Sequence, residues 1–197
     1  MRDLETIQLA ITAAETGHLV LGTLHTSSAA KTVERIVDVF PADQQEQARL
    51  QVSTSLAGIM SQTLCKNTKG KRSLAYELMV NTPAIGNLIR EKKVSEIYSQ
   101  LQTGSQYGMN TLEQCLNNLY ADGLITQEEA LGKSSNPKAI KVWDMVEYGT
   151  SNIVKKKETR KPPLVVFGIV FGEESHLDHE PNSKLKVPQN ELLVFFR

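Results

Sequence analysis

The sequence has little that would support a metal site, a disulfide framework or a membrane span. It contains two cysteines, Cys65 and Cys115, and no Cys-x-x-Cys pair, which excludes a zinc site of the usual spacing. The longest apolar run, residues 164–171, is far shorter than the roughly 20 residues that cross a bilayer. The first residues are charged and do not form an apolar leader. We therefore expect a cytoplasmic protein with no metal site and no transmembrane segment.

An excess of charge of one sign is also lacking. The 22 lysines and arginines balance 22 aspartates and glutamates, which gives a formal net charge of zero. Domains that bind nucleic acid usually carry a strong basic field, so no nucleic-acid partner is expected. The one dense basic run, within residues 155–161, lies in a polar stretch and is typical of a solvated linker.

The first part of the chain alternates helical and strand patterns. A helical stripe ends at Gly17, and residues 18–24 then form a short apolar run, which predicts a fully buried strand. The polar turn after it contains Ser27 and Ser28, either of which can cap the next helix.

A helix and a strand are predicted further along. Apolar residues at helical spacing predict one long helix over residues 43–64. Residues 73–80 then alternate, which predicts a strand whose wetter face carries Ala75, Glu77 and Met79. These patterns indicate an α/β fold.

The second part is helical. Thr82 and Pro83 combine a cap with proline at the first helical position, and helices are predicted over residues 83–91 and 94–102. After Pro137 the periodicity fades, apart from an isolated strand pattern at residues 164–167. We expect three parts: a core over residues 1–81, a helical region over residues 82–137, and an unrelated, poorly ordered tail over residues 138–197.

Two features bear on chemistry. His25 and Thr26 follow a predicted strand, and the ends of such strands are where α/β proteins bind ligands. Taken alone, His25 is more simply explained as a turn histidine satisfied by backbone groups. A phosphate-binding loop of the form G-x-x-x-x-G-K-[ST] is absent. At Gly70-Lys71, Cys65 stands where the motif has its first glycine, and Arg72 stands where it has serine or threonine.

Several long motifs resemble the secretion and pilus motor ATPase family, and within it the retraction ATPases of type IV pili that drive twitching motility. The motifs are residues 1–7 (MRDLETI), residues 13–26 (AAETGHLVLGTLHT), residues 38–41 (DVFP) and residues 82–91 (TPAIGNLIRE). The resemblance covers residues 1–137. It implies the C-terminal part of a RecA-like P-loop ATPase domain, which in the family forms a ring hexamer with ATP and magnesium between subunits.

The resemblance also implies where the chain is cut. The Walker B motif of the family ends in G-E-[MI]-R-D, so Met1, Arg2 and Asp3 match its last residues, and we expect the catalytic glutamate and the phosphate-binding loop to be absent. A fragment of this kind is expected to bind neither ATP nor magnesium by itself. A sheet divided within the domain would leave a strand edge and an apolar face that a partner or the tail must cover.

Site residues follow from the same resemblance. His25 matches the catalytic histidine of the family's His box, close to the γ-phosphate. The expected nucleotide-binding residues are Arg2, Asp3, His18, Thr23 and Thr26. The retraction signature corresponds to Ala84, Ile85, Asn87, Leu88, Ile89, Arg90 and Glu91. Gly86 stands where the signature has arginine, which puts the role of the signature in doubt.

The expected function is therefore that of a truncated pilus retraction ATPase. One alternative is a non-catalytic interaction module that binds motor ATPase subunits through residues 83–132, and another is one half of a split motor. Expected partners are intact retraction ATPase subunits and the pilus machinery of the inner membrane, which would hold the protein at the membrane periphery.

Overall fold

The computed structural model describes residues 3–141 and 192–196. The α-helices are α1 (Leu4–Glu15), α2 (Ala29–Asp38), α3 (Gln45–Ser55), α4 (Pro83–Arg90), α5 (Ile97–Thr103), α6 (Leu112–Ala121) and α7 (Gln127–Lys133). The strands are β1 (Val20–Leu24), β2 (Leu56–Lys66), β3 (Arg72–Val80) and β4 (Leu192–Phe196). Short 3-10 helices cover Val94–Glu96, Gly104–Tyr107 and Pro137–Ala139. The strand predicted at residues 164–167 and the basic run lie outside the described residues.

The strands form one sheet in the order β1-β4-β2-β3. β4 is antiparallel to both of its neighbours, so β1 and β2 run parallel to each other with β4 between them. Val194 lies opposite Gly22 on one side and Ile59 on the other. Residues 192–196, which lie in the segment expected to form a tail, thus make up an inner strand of this sheet. Their apolar side chains give this segment a face that the core can bury, as Val194 and Phe196 are fully buried.

Helix ends follow the predicted turn chemistry. The chain leaves α1 through Gly17, whose φ of 88° suits glycine. Of the two candidate caps for α2, Ser28 is the one used, because its side chain accepts a hydrogen bond from the N–H of Lys31. The prediction of Thr82 as the cap of α4, with proline next, is confirmed.

The long helix predicted over residues 43–64 is wrong in its second half. α3 ends at Ser55, and the chain enters β2 without a loop. The last carbonyl groups of a helix have no partner within the helix. Here the side-chain amide of Asn81 donates to the carbonyl oxygens of Ser53, at 3.0 Å, and Leu56, at 2.7 Å, where the helix changes into the strand. A Cβ at Gly58 would lie 2.7 Å from the carbonyl oxygen of Met79, so glycine permits the close pairing of β2 with β3.

Two predicted strand faces are also corrected. β1 is not fully buried: Leu24 is buried, whereas Leu21 is 54% exposed. On β3, Ala75, Glu77 and Met79 are buried, the reverse of the prediction. Helices α2 and α6 pack against β3, which explains why small and polar residues lie inside there.

The buried residues form two clusters. The larger one joins the sheet to α1–α5, and the smaller consists of Cys65, Ala75, Leu116, Ile125, Ala130 and Ile140. The helical region thus shares packing with β2 and β3, and residues 3–140 and 192–196 belong to one compact unit. The domain boundaries at residues 81 and 137 stay a prediction. In the described part of the chain, no helix has the length and apolarity that a membrane crossing requires.

Candidate functional site

The loop of residues 25–28 joins the carboxyl end of β1 to α2. It opens onto a broad cleft of about 920 Å³, and His25 is exposed at this cleft. The lining residues are His25, Thr26, Ser27, Lys31, Glu34, Arg35, Asp38 and Val39. The loop therefore lies where strand ends in α/β proteins present ligand-binding groups.

Hydrogen bonds to α2 fix the loop. The hydroxyl oxygens of Thr26 and Thr32 are 2.7 Å apart, and the fully buried Thr32 hydroxyl also contacts the carbonyl oxygen of Ser28 at 2.8 Å. The ammonium group of Lys31 donates to the Ser27 hydroxyl at 3.2 Å. These contacts hold His25 on a loop of defined conformation.

Glu77 lies behind this loop and is one of the few buried charged groups. Its carboxylate accepts a hydrogen bond from the N–H of Ala29, the first residue of α2, at 2.8 Å. Burial raises the pKa of Glu77, as does repulsion from Glu113, while the N–H of Ala29 opposes the shift. From the sequence alone, Glu77 is predicted only as a residue on the wetter face of β3. The available signal was an acidic residue in the middle of an otherwise apolar strand.

Glu113, on α6, is a second buried glutamate. Its carboxylate accepts hydrogen bonds from the hydroxyls of Ser134 and Ser135, the N–H of Asn136 and, at 3.2 Å, the hydroxyl of Tyr98. Burial acts to raise the pKa of Glu113, but the hydrogen bonds outweigh burial and leave the pKa below its ordinary value. This carboxylate anchors the segment that follows α7.

The structure separates some of the predicted site residues. His18 lies before β1, with its Nδ1 3.0 Å from the Thr16 hydroxyl, so the strand stands between it and His25. Asp3 caps α1 by accepting a hydrogen bond from the N–H of Thr6 at 2.8 Å, which lowers the pKa of Asp3. α1 leads into β1 through a tight turn and packs against it, which directs Asp3 toward the same end of the strand as His25.

The remaining predicted nucleotide contacts differ in placement. Thr23 is exposed on β1, and Thr26 is half-buried next to His25. Arg2 lies outside the described residues. His25 and Thr26 are therefore the two predicted residues that the structure brings together at the cleft.

The cleft does not fit a self-sufficient nucleotide site. The cations Lys31 and Arg35 are offset by Glu34 and Asp38. At the start of α2, the N–H of Ala29 is taken by Glu77. The described residues at the cleft thus offer no cradle of free backbone N–H groups for a phosphate. Over the same residues, no group of three His, Cys, Asp or Glu side chains is placed to hold a metal ion.

α4 carries the predicted retraction signature. Ile85, Gly86 and Ile89 face inward, and the guanidinium of Arg90 donates to the hydroxyl of Ser53 at 3.2 Å and to the side-chain oxygen of Asn87. The signature residues with exposed side chains are Ala84, Asn87, Arg90 and Glu91, and Leu88 is half-buried. α4 thus presents a polar surface and is tied to the end of α3.

Comparison with known proteins places the chain in a family. The family model described as type II/IV secretion system protein matches residues 1–132. The chain belongs to the type II/IV secretion system protein family. Both the β1–α2 loop and α4 lie within the matched residues.

Individual members of the type II/IV secretion family sharpen this result. The chain is 58% identical over 138 residues to the type IV pilus retraction ATPase PilT of Pseudomonas aeruginosa, a match that covers 70% of this chain and 40% of that protein. It is 52% identical over 141 residues to the twitching motility protein of Neisseria gonorrhoeae, covering 71% and 38%. The chain therefore spans about 40% of the length of these relatives.

A solved structure supports the fold. The pilus retraction motor PilT with bound ADP is 51% identical and aligns with a TM-score of 0.65, covering 71% of this chain and 39% of that one. The predicted α/β fold, part of the RecA-like domain of secretion ATPases, is confirmed, as is the resemblance to retraction ATPases. The roles of individual site residues stay predictions.

Proposed function

We propose that this chain acts as the C-terminal part of a type IV pilus retraction ATPase, in which His25 and Thr26 contact one side of a bound nucleotide. The observation that carries the proposal is the 58% identity to the P. aeruginosa retraction ATPase over 138 residues. The geometry supports the proposal, because His25 is exposed on the loop that follows β1, and hydrogen bonds to α2 hold this loop in place.

The chemistry of the loop suits a phosphate neighbour. The His25 imidazole can donate a hydrogen bond to a phosphate oxygen or orient a water, and Lys31 and Arg35 supply positive charge at the cleft. ATP with magnesium would supply the phosphoryl group. Because the 197 residues contain no phosphate-binding loop, we propose that the chain turns over no ATP by itself and works with retraction ATPase subunits at the pilus machinery.

A graft tests this proposal. Residues 1–137 would replace the matched segment of the P. aeruginosa retraction ATPase, and ATP hydrolysis would be measured for the assembled protein. We expect the graft to keep activity and His25→Ala in the graft to lower kcat by roughly 100-fold. His18→Ala, at the other end of β1, is the matched control and should change kcat little. An assembled graft that hydrolyses ATP equally well with and without His25 would refute the proposed role.

A second candidate is a non-catalytic module, or half of a split motor, that binds motor subunits. Leu21, on the outer strand β1, is 54% exposed, and Leu19, directly before this strand, is 53% exposed, which favours a covering partner there. The test is co-purification with an intact retraction ATPase. Leu21→Lys should abolish binding, whereas Leu74→Lys, at an exposed leucine on the other outer strand β3, should not. Equal binding by both variants would exclude β1 as the contact.

A further inference from the structure

β4 occupies an unusual position relative to the family match. That match ends at residue 132, whereas β4 begins at Leu192. Its two neighbours, β1 and β2, both lie inside the matched stretch. Two strands of the family fold thus stand on either side of a segment that the family match does not include.

The spacing of a β-sheet makes this position significant. Neighbouring strands lie about 4.8 Å apart, so β1 and β2, separated by β4, are roughly 10 Å apart and cannot bond to each other. Without a strand between them, both would present unpaired N–H and C=O groups next to the core. We propose that the groove between β1 and β2 is a strand-acceptor site and that residues 192–196 of the same chain fill it.

Pairing and burial define what the groove accepts. β4 runs antiparallel to both walls, with Val194 opposite Gly22 of β1 and Ile59 of β2. Phe196 lies opposite Val20 and Leu56. Val194 and Phe196 are fully buried in the main core cluster. The ligand class is therefore an extended apolar peptide with bulky side chains at alternate positions, a form of strand addition.

The filled groove has a consequence for assembly. A backbone paired on both sides leaves no edge between β1 and β2 for a strand of another polypeptide. A partner that carries its own strand for this position must first displace β4. Residues 192–196 thereby act as an intramolecular plug that protects the sheet from intermolecular pairing.

Hydrogen exchange on the full chain tests the plug. We expect the amides of residues 192–196 to be protected together with those of residues 20–24, their partners on β1, whose neighbour in the sheet is β4. Val194→Asp should remove protection from both segments and lower the midpoint of thermal unfolding by ~10 °C or more. Phe195→Asp, at a half-buried position on the opposite face of β4, is the matched control and should shift the midpoint less.

Complementation by a peptide completes the test. A synthetic peptide with the sequence of residues 190–197, added in excess to the Val194→Asp variant, should restore protection in residues 20–24, and the same peptide carrying Val194→Asp should not. If the variant does not fold, exchange in the unaltered chain decides. Exchange of residues 192–196 at the rate of an unstructured peptide would overturn the proposal. A stable dimer that exchanges β4 between copies would overturn its intramolecular form.

Discussion

The carboxylate of Glu77, in the middle of β3, lies 2.8 Å from the backbone nitrogen of Ala29 at the start of α2. This contact joins the sheet to the helix that directly follows the loop bearing His25. The buried carboxylate accepts a backbone N–H that the local cap, Ser28, does not reach, and it adds negative charge at the positive end of the helix. The position of the proposed functional loop thus depends on a residue far away in sequence.

Replacement of Glu77 should lower the stability of the protein, by an amount that depends on whether the N–H of Ala29 keeps an acceptor. Glu77→Ala leaves the buried N–H of Ala29 without its acceptor, so we expect the free energy of unfolding to fall by roughly 1–3 kcal/mol. Glu77→Gln keeps one oxygen acceptor and should lose less. Urea denaturation at neutral pH measures both changes. A Glu77→Ala protein as stable as the unaltered chain would show that the contact contributes nothing.

The two buried glutamates should give opposite dependences of stability on pH. The folded-state pKa of Glu77 is raised, so its contribution is fully present below about pH 4.5, the ordinary glutamate value, and is lost as pH rises through the raised pKa. The folded-state pKa of Glu113 is lowered, so its contribution is present above about pH 4.5 and is lost as pH falls through the lowered pKa.

Denaturation as a function of pH separates these two effects. Relative to the unaltered chain, Glu77→Gln should gain stability as pH rises from 4 to 8. The free energy of unfolding of Glu113→Gln should fall furthest below that of the unaltered chain near pH 7. The difference should shrink as the pH falls below 4.5. Parallel curves for both variants would contradict the assigned directions.

Gly86 is tightly placed in α4. A Cβ there would lie 3.2 Å from the carbonyl oxygen of Ser53 in the last turn of α3. Alanine in place of a helical glycine usually raises the free energy of unfolding by about 0.5–1 kcal/mol, but here the contact with Ser53 should cancel part of that gain. Gly132 in α7 is the matched control, since its Cβ would meet nothing within 4 Å. We expect thermal denaturation to show a larger gain for Gly132→Ala than for Gly86→Ala, and the reverse order would contradict this packing.

Helix ends were predictable from the sequence because the signals are local. Gly17, Ser28 and Thr82 act through their own backbone or through an N–H three residues away. The family resemblance was similarly accessible, since long motifs survive in order over residues 1–132. His25 and Thr26 could be paired because they are adjacent in sequence.

The errors arose where distant residues decide the outcome. The spacing of apolar residues after Ser55 fits a helix. The segment is nevertheless a strand, because it pairs with β3, where Gly58 lies opposite Val80. The buried face of β3 is set by α2 and α6, which local alternation does not reveal. Residues 192–196 form an apolar run that is consistent with a buried strand, but its place in the sheet could not be predicted locally, because its neighbours β1 and β2 lie more than a hundred residues earlier in the sequence.

We propose that this chain carries the His25 loop of a retraction ATPase and does not complete a nucleotide site by itself. Steady-state ATP hydrolysis by the purified full chain with magnesium tests it most directly, with His25→Ala as the comparison. We expect neither form to release phosphate above the rate measured without protein. Sustained turnover by the unaltered chain that disappears in the His25→Ala variant would contradict it.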